Sequence, residues 1–261
     1  MKYKVGLFGF GRTGKLVANE IIQDEDLELV WVIRKSHNNI GEYASSLLGN
    51  KNIEGLIYSY DSIDFDTFYN ENHVDVIIDF SSTSAVREYT NAVKYGTKIV
   101  SAISKYEEGD FELLIELSKI GAVLYSPNIT LGINFVIVAS KILKQLIPHV
   151  DIEVVEEHFR EKKEASGTAL KIADSLHINK ETHVNSIRVG GIYGNHEVIF
   201  GLPNQIIRLK HETISRAAFG QGAIYGAKWI LKKNKGLYNM EDIIYDTFAK
   251  NIMIVEKDSE E

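Results

Sequence analysis

Residues 156–170 carry the densest set of reactive side chains in this 261-residue chain. His158 and Lys162 lie just before Ser166-Gly167-Thr168, which opens a predicted helix. Histidine donates a proton near neutral pH, and the free N–H groups of a helix N-terminus bind anions. Together these groups suit reduction of a C=N bond in a carboxylate-bearing substrate, where carbon receives hydride and nitrogen receives a proton.

The same segment has a second interpretation. Runs of charged side chains are usually solvated, and a serine just before a helix usually caps it, as we expect of Ser166. Spacing alone therefore leaves two possibilities open, a catalytic site or a charged loop followed by a capped helix.

A second motif follows the first predicted strand. Gly9-Phe10-Gly11-Arg12-Thr13-Gly14 matches G-x-G-x-x-G between a strand and a helix, the context in which this pattern binds a dinucleotide. Gly9 permits the tight turn, Gly11 lets the backbone approach a pyrophosphate, and Gly14 lets helix and sheet pack closely. An ordinary glycine-rich turn is the alternative, but the strand–turn–helix context favours a dinucleotide site.

The end of the second predicted strand bears on which dinucleotide is bound. An NAD-specific site usually has a carboxylate there, bonded to the ribose 2′-hydroxyl. This chain has Arg34 and Lys35 instead, and a guanidinium suits a 2′-phosphate. The pair predicts NADPH over NADH, unless both cations are ordinary loop charges. Phe80-Ser81 and Ser101-Ala102 end two further predicted strands, so we expect them beside the nicotinamide.

Strands and helices must position these groups. In the first half, strands are predicted at 4–9, 27–33, 74–80, 97–102 and 122–126, and helices at 12–22, 83–93 and 111–120. Such alternation predicts an α/β fold with an N-terminal Rossmann domain, built on a parallel sheet. Residues 36–65 show no regular pattern.

After residue 127 the pattern changes. Strands are predicted at 151–157, 184–193, 196–200 and 205–211, and helices at 132–146, 166–176, 216–231 and 240–246. Gly194-Asn195 predicts a two-residue hairpin turn. We therefore expect a smaller α+β domain with a mixed or antiparallel sheet. The predicted boundaries are 1–128 and 217–261 for the dinucleotide-binding domain, and 129–216 for the substrate domain.

Composition narrows the class further. With no cysteine, the chain has neither disulfides nor thiolate metal sites. The net charge of −7 argues against a broad nucleic-acid surface. The sequence has neither a signal-peptide pattern nor a membrane-length apolar run, so we expect a cytoplasmic protein without membrane or nucleic-acid partners. His196 and His211 lack metal-ligand spacing, and no metal is expected.

Several segments, in order, resemble the 4-hydroxy-tetrahydrodipicolinate reductase family, also called dihydrodipicolinate reductase. Residues 156–170 resemble its signature E-x-H-H-x-x-K-x-D-A-P-S-G-T-A, once the family's proline is deleted between Ala165 and Ser166. The resemblance covers nearly the whole chain. It includes residues 9–14, 79–81, 126–134, 188–200, 211–223 and 236–240.

The resemblance implies roles for individual residues. His158 matches the proton-donor histidine and Lys162 the catalytic lysine, and Ser166-Gly167-Thr168 matches the sequence that holds a substrate carboxylate. It also implies cofactor contacts from Asn128, Arg216 and Phe219. The implied activity is NAD(P)H-dependent reduction of a cyclic dicarboxylate to tetrahydrodipicolinate, in diaminopimelate and lysine biosynthesis, by a homotetramer joined through its second domain.

Three departures keep alternatives open. Phe159 replaces the second histidine of the family pair, the proline is missing, and residues 101–104 lack the glycines of the family loop. A paralogue that reduces another carboxylated cyclic imine fits these differences. A non-catalytic NADPH-sensing Rossmann protein is the other alternative, but a sensor does not need the retained His158 and Lys162.

Overall fold

The computed structural model describes residues 1–258, and their side chains through residue 251. The strands are β1 (Tyr3–Phe8), β2 (Leu27–Arg34), β3 (Leu56–Ser59), β4 (Val76–Asp79), β5 (Lys98–Ser101), β6 (Ala122–Tyr125), β7 (Asp151–His158), β8 (Val184–Arg188), β9 (Asn195–Leu202), β10 (Gln205–Glu212) and β11 (Gly236–Tyr238). The α-helices are α1 (Arg12–Gln23), α2 (Ala44–Leu47), α3 (Phe65–Glu71), α4 (Tyr89–Lys94), α5 (Glu108–Ser118), α6 (Leu131–Leu146), α7 (Gly167–Ser175), α8 (Lys180–His183), α9 (Ala217–Ile230) and α10 (Met240–Asp258).

The first of two compact units comprises Met1–Ile129 and Phe219–Met240. In the part of the chain that the structure describes, its sheet has seven parallel strands in the order β11-β6-β5-β4-β1-β2-β3. Both β2 and β4 pair with β1, so the strand order reverses there. Ligands of open parallel sheets bind beyond the carboxyl ends of the strands at such a point. The predicted Rossmann sheet is confirmed.

A buried aromatic cluster holds this unit together. Trp31 on β2 is fully buried, and its ring meets that of Phe8 edge-on at 5.7 Å. The indole N–H donates to the carbonyl of Asn72 at 2.9 Å, which satisfies the one polar atom of the side chain. The central strand β4 is buried along its whole length, as expected when helices cover both faces of a parallel sheet.

The irregular segment 36–65 contains three elements that no pattern predicts. They are the short helix α2, the edge strand β3, which pairs with β2, and a 3₁₀ turn over Tyr60–Ser62. The predicted helix at 83–93 forms in two parts, a 3₁₀ turn over Thr83–Glu88 and then α4. The strand β11, also unpredicted, joins the other edge of the sheet beside β6.

The second unit comprises Thr130–Ala218 and residues from Glu241 onward. Its sheet is mixed, in the order β10-β9-β7-β8. The central strand β7 pairs with β9 antiparallel and with β8 parallel. Alternate side chains of β7 are buried, so one face of the sheet packs on the core, which includes Ile137, Val154 and Phe200.

The predicted hairpin at Gly194-Asn195 is wrong. Strand β8 ends at Arg188 and pairs with β7, so β8 and β9 lie on opposite sides of β7 and never meet. Hydrophobic pattern and turn residues identify strands but not their partners, because pairing depends on how both edges of β7 are filled. The two-residue hairpin turn is instead Pro203-Asn204, between β9 and β10, where Asn204 adopts a positive φ of 68°.

The last helix also differs from the predicted boundaries, which placed residues 217–261 in the first domain. Contacts group Glu241 and the rest of α10 with the second unit. Glu241 forms ion pairs with Lys141 at 2.6 Å and Lys171 at 2.7 Å, and Phe248 stacks on Phe135. Residues 259–261 lie outside the described part of the chain. No helix in the described part is long and apolar enough to cross a membrane.

Candidate active site

The glycine motif forms a cradle at the carboxyl end of β1. Gly9 has φ of 98°, and a Cβ there would lie 2.8 Å from the carbonyl oxygen of Phe80. A Cβ on Gly14 would lie 2.2 Å from the carbonyl oxygen of Gly9, so only glycine lets α1 start this close to the strand. By contrast, a Cβ on Gly11 would meet nothing within 4 Å, so the backbone there is open to a ligand.

A cavity of about 250 Å³ opens beside this cradle. Gly11 is the N-cap of α1 and uses no side chain to satisfy the first N–H groups of the helix. Those groups carry partial positive charge and suit a pyrophosphate. The lining residues are Phe8, Gly9, Phe10, Gly11, Ile33, Arg34, Lys35, Ser36, Tyr60, Phe80, Ser81 and Ser82.

Arg34 and Lys35 form the cationic end of this cavity. The Arg34 guanidinium lies 5.9 Å from the Phe10 ring centroid, and one of its Nη atoms donates to the carbonyl of Asn38 at 3.2 Å. Its Nε is buried without a partner among the described residues, which leaves a donor for a ligand oxygen. Lys35 Nζ contacts Ser84 Oγ at 3.2 Å.

A buried carboxylate shapes the wall formed by Phe80 and Ser81. Asp79 is fully buried at the end of β4. It accepts from the Ser81 N–H at 2.7 Å, from Ser81 Oγ at 2.6 Å and from the Tyr89 hydroxyl. Burial raises the pKa of Asp79 to about 6, although hydrogen bonds from Ser81 and Tyr89 oppose this effect.

Other predicted cofactor residues take varied positions. Ser101 is buried, and its hydroxyl contacts the Tyr106 hydroxyl at 2.7 Å, so its side chain points into the interior of the unit. Thr13 and Ala102 line a second, more open cavity of about 530 Å³ that also includes Phe80 and Ser81. The remaining residues are Arg12, exposed at the start of α1, and Asn128 and Phe219, both half-buried.

In the second unit, the cluster is organised around Glu156. Period-two alternation places Glu156 and His158 on the same buried face of β7. The Glu156 carboxylate has no exposed surface and accepts two hydrogen bonds from the Arg188 guanidinium, at 2.7 and 2.8 Å. It also accepts from Ser186 Oγ at 2.6 Å, the Ser166 N–H at 3.1 Å and His158 Nδ1 at 2.5 Å.

These contacts set the protonation states of Glu156 and His158. Burial raises the pKa of Glu156, but the hydrogen bonds from Arg188, Ser186, His158 and Ser166 outweigh burial and lower the pKa to about 2. An ionised carboxylate only accepts hydrogen bonds, so His158 Nδ1 carries a proton. Burial lowers the pKa of His158, while the Glu156 carboxylate opposes this.

The second ring nitrogen of His158 is the one free to react. A Cβ built on Gly194 would lie 3.0 Å from Nε2, so glycine keeps the space beside this nitrogen clear. Because Nδ1–H is committed to Glu156, a protonated His158 presents Nε2–H as its second donor. The imidazole can therefore deliver a proton from Nε2.

Ser166 does not cap α7 with its side chain, contrary to the prediction. It occupies the N-cap position, but its hydroxyl contacts His196 Nε2 at 2.8 Å. His196 Nδ1 is buried with no partner among the described residues. A buried lone N–H is rarer than a buried lone acceptor, so we assign the proton to Nε2, which donates to Ser166. The Ser166 hydroxyl is then free to donate to a ligand.

Burial lowers the pKa of His196 to about 3 and also lowers that of His211, so both rings are neutral near pH 7. The two residues pair across β9 and β10. Within the described residues, no group of three or more His, Asp or Glu side chains is placed to hold a metal ion.

The remaining predicted residues surround this cluster. A Cβ on Gly167 would meet nothing within 4 Å, so the first turn of α7 is open. Thr168 is half-buried in that turn, and Lys162 is half-buried in the preceding loop. The charge of Lys162 contributes to the low pKa values of His158 and His196. Arg216 lies 5.4 Å from the Tyr193 ring centroid.

Sequence reasoning assigned no role to three residues of this cluster, Glu156, Ser186 and Arg188. One signal was available for Glu156: a residue two positions before a histidine on a half-buried strand shares its face. Arg188 lies 32 positions after Glu156 in the chain, and only the parallel pairing of β7 and β8 places it opposite His158.

Comparisons with known proteins agree with this arrangement. Residues 3–129 match the family model described as "Dihydrodipicolinate reductase, N-terminus", and residues 129–244 match "Dihydrodipicolinate reductase, C-terminus". The chain belongs to the dihydrodipicolinate reductase family. It is accordingly an oxidoreductase that uses a nicotinamide cofactor.

Individual relatives of this chain carry the alternative family name. The 4-hydroxy-tetrahydrodipicolinate reductase of Thermosipho africanus is 36% identical over 188 residues, which cover 71% of this chain and 86% of that protein. The Rickettsia bellii enzyme of the same name is 34% identical, covering 69% and 77%. A solved dihydrodipicolinate reductase from Paenisporosarcina with dipicolinate bound has the same fold, with a TM-score of 0.75, 21% identity, and coverage of 93% of this chain and 100% of that one.

Proposed function

We propose that this chain reduces 4-hydroxy-tetrahydrodipicolinate to tetrahydrodipicolinate with a reduced nicotinamide dinucleotide, preferring NADPH. The observation that carries the proposal is the buried cluster at the end of β7. In it a proton donor, His158, lies beside a helix N-terminus whose first turn is open. This is the chemistry that a carboxylate-bearing C=N substrate needs.

The residues of the first unit fit such a cofactor. The backbone at Gly11 is open to a pyrophosphate, and Arg34, whose Nε has no partner among the described residues, lines the same cavity. When bound, the cofactor supplies hydride to a ring carbon of the substrate. We assign the pyrophosphate to Gly9, Gly11 and the N-terminus of α1.

The preference for NADPH rests on charge. Arg34 and Lys35 line the cavity, and the residues that line it include no carboxylate. A guanidinium pairs well with the 2′-phosphate, whereas NAD-specific sites present a carboxylate to the 2′-hydroxyl.

The second unit supplies the proton and the groups that bind the substrate carboxylate. His158 Nε2–H gives its proton to the substrate nitrogen as hydride arrives at carbon, and Glu156 stabilises the imidazolium beforehand. The Ser166 hydroxyl, the Gly167 N–H and the Thr168 side chain hold a substrate carboxylate, because the N-terminus of α7 favours an anion. The half-buried Lys162 adds positive charge, which offsets the net charge of −7 of the chain.

We further propose a homotetramer that pairs the open faces of the second-unit sheets. The face of the sheet opposite the core exposes Ile206 at 63%, and Val155 and Ile199 there are only half-buried. Apolar side chains on an open sheet face favour association. Sedimentation equilibrium measures the assembly directly, and a monomer at micromolar concentration would contradict this part of the proposal.

The test of the activity is NADPH oxidation, followed by its absorbance. The substrate is generated in place from pyruvate and aspartate semialdehyde by its synthase. We expect turnover with NADPH above that with NADH. His158→Ala should lower kcat by about 100-fold or more, as loss of a general acid does, with NADPH affinity unchanged.

Two outcomes would contradict the proposal. If protein that binds NADPH shows no oxidation, the substrate is another imine or the protein senses NADPH. If His158→Ala turns over at the wild-type rate, the proton comes from another group.

A further inference from the structure

We infer that the Glu156–Arg188 ion pair positions three parts of the site relative to one another. They are the proton donor His158, the loop of residues 159–165 that contains Lys162 (the lysine loop), and the N-terminus of α7, which is assigned the substrate carboxylate. The inference rests on the proposed function, because it concerns the roles given there to His158, Lys162 and Ser166. It adds two residues that act through others and do not themselves touch the substrate.

Glu156 contacts both the proton donor and the start of α7. One carboxylate oxygen accepts from His158 Nδ1 at 2.5 Å, and the other accepts from the Ser166 N–H at 3.1 Å. The first contact orients the imidazole, whose Nε2 lies beside Gly194. The second fixes the residue from which α7 begins, and therefore the direction of the N–H groups of its first turn.

Arg188 extends the same network to the lysine loop. Both Nη atoms donate to the Glu156 carboxylate. Nε also donates to the carbonyl of Lys162 at 2.8 Å, and one Nη donates to the carbonyl of Glu164 at 2.9 Å. Both carbonyls lie in the segment that joins β7 to α7. One planar guanidinium thus links strand, loop and helix, a geometry that the single ammonium of lysine cannot reproduce.

The burial of the pair argues for a specific role. Glu156 is fully buried, and the Arg188 side chain is 19% exposed. Buried ion pairs contribute little net stability compared with apolar residues of similar volume. A pair with this many polar partners is instead suited to fixing geometry, in the way that supporting contacts fix the ligands of a binding site.

The variants Glu156→Gln, Glu156→Asp and Arg188→Lys separate the possible roles. Asp110→Asn is the matched control, since Asp110 is a buried carboxylate of the first unit that accepts from Arg87 Nε at 2.8 Å. The control breaks a carboxylate–arginine pair without touching this cluster. For each variant we would measure kcat and KM across pH, the Kd for dipicolinate, and the ¹⁵N shifts of the histidine rings.

The pH profile has a defined sign. The charged and titratable groups around His158 are Glu156, Lys162, Arg188 and the neutral His196, and only Glu156 raises its pKa. In Glu156→Gln the pKa of His158 therefore falls. The alkaline loss of kcat/KM should move to lower pH by about one to two units, the size expected for one hydrogen bond to a charged group. Glu156→Asp keeps the negative charge but is one methylene shorter, so its pH profile should stay closer to wild type than that of Glu156→Gln, while dipicolinate binding weakens.

The contact between Glu156 and the start of α7 is tested by dipicolinate binding. Glu156→Gln and Arg188→Lys should each weaken dipicolinate binding by about tenfold, because the start of α7 is no longer held. NADPH affinity should not change. Arg188→Lys keeps the carboxylate charge, so its pH profile should stay close to wild type while KM rises. If Glu156→Gln does not fold, Glu156→Asp and Arg188→Lys carry the test.

A purely structural pair gives a different result. The variants would then lose thermal stability, as we expect of Asp110→Asn, while the pH profile and the dipicolinate Kd of the folded protein match wild type. That result would overturn the inference. The ¹⁵N spectrum needs neither turnover nor dipicolinate: wild-type His158 should carry its proton on Nδ1 when neutral. A mixed tautomer would also overturn the inference, even if the proposed activity fails for another reason.

Discussion

Removing the charge of Asp79 should change how the stability of the first unit depends on pH. The carboxylate is fully buried at the end of β4, and burial raises its pKa from 3.8 to about 6. A raised pKa means that the folded state binds the proton more tightly than the unfolded state. The stabilisation is complete below pH 3.8 and is lost as pH rises through about 6.

The size of this effect follows from the shift. Between 3.8 and about 6, the folded state should lose on the order of 3 kcal/mol, because each pKa unit corresponds to about 1.4 kcal/mol. Asp79→Asn has no ionisable carboxyl at this position, so its unfolding free energy lacks this pH-dependent contribution. Its amide oxygen can still accept from Ser81, and its NH₂ can donate to the Tyr89 hydroxyl, which then acts as an acceptor.

The assay is urea unfolding of wild type and Asp79→Asn from about pH 3 to about pH 8, a range that spans the unfolded-state pKa of 3.8 and the folded-state pKa of about 6. Trp31 and Trp229, the two tryptophans of the chain, both belong to the first unit, so their fluorescence follows its unfolding. Wild type should lose stability relative to the variant as pH rises. Tyr89→Phe removes a hydrogen bond that lowers the pKa of Asp79, so the loss should extend to higher pH.

The reasoning would be refuted if wild type and Asp79→Asn kept a constant difference in unfolding free energy across this range. It would also be refuted if the wild-type protein gained stability relative to the variant as pH rose.

Three further substitutions test the two sites. Gly14→Ala forces a Cβ to within 2.2 Å of the Gly9 carbonyl oxygen, so we expect a loss of about 1–3 kcal/mol in urea unfolding, along with weaker NADPH binding. Arg34→Ala should weaken NADPH by about 10- to 100-fold in fluorescence titrations, since it removes a charged donor, and leave NADH nearly unchanged. Ser166→Ala should raise KM for the substrate by about tenfold at similar kcat in steady-state kinetics, because the carboxylate contact is made in both ground and transition states.

Each of these substitutions has a control. Gly11→Ala places its Cβ in open space, so it should keep wild-type stability while weakening NADPH, and equal stability losses in Gly11→Ala and Gly14→Ala would contradict the packing argument. Equal losses of NADPH and NADH in Arg34→Ala would place the guanidinium away from the 2′-phosphate. A kcat loss with unchanged KM in Ser166→Ala would assign the hydroxyl to the chemical step.

Much of this protein follows from local pattern. The alternation of strands and helices in the first half predicts the parallel sheet, and the family signature locates His158, Lys162 and Ser166. These features are local because a strand, a turn and a helix start each depend on residues within a few positions of one another. The spacing of Gly9, Gly11 and Gly14 is of this kind, since all three serve one turn.

Other features depend on strand pairing and burial, which local pattern does not contain. Residues 184–202 contain the residue types of a hairpin, yet β8 and β9 pair with opposite edges of β7. The polar side chain at Ser166 predicts a helix cap, but its hydroxyl instead contacts His196 from another strand.

The sequence by itself determined the fold class, the glycine cradle and the residue types of the second cluster, because each is encoded within a short segment. Only the tertiary structure decided which carboxylate fixes His158. The parallel register of β7 and β8 brings Arg188 to Glu156. In this buried site the contact keeps Glu156 ionised, and the carboxylate in turn places the proton of neutral His158 on Nδ1. A hydrogen bond between residues 32 positions apart leaves no periodic trace in the sequence.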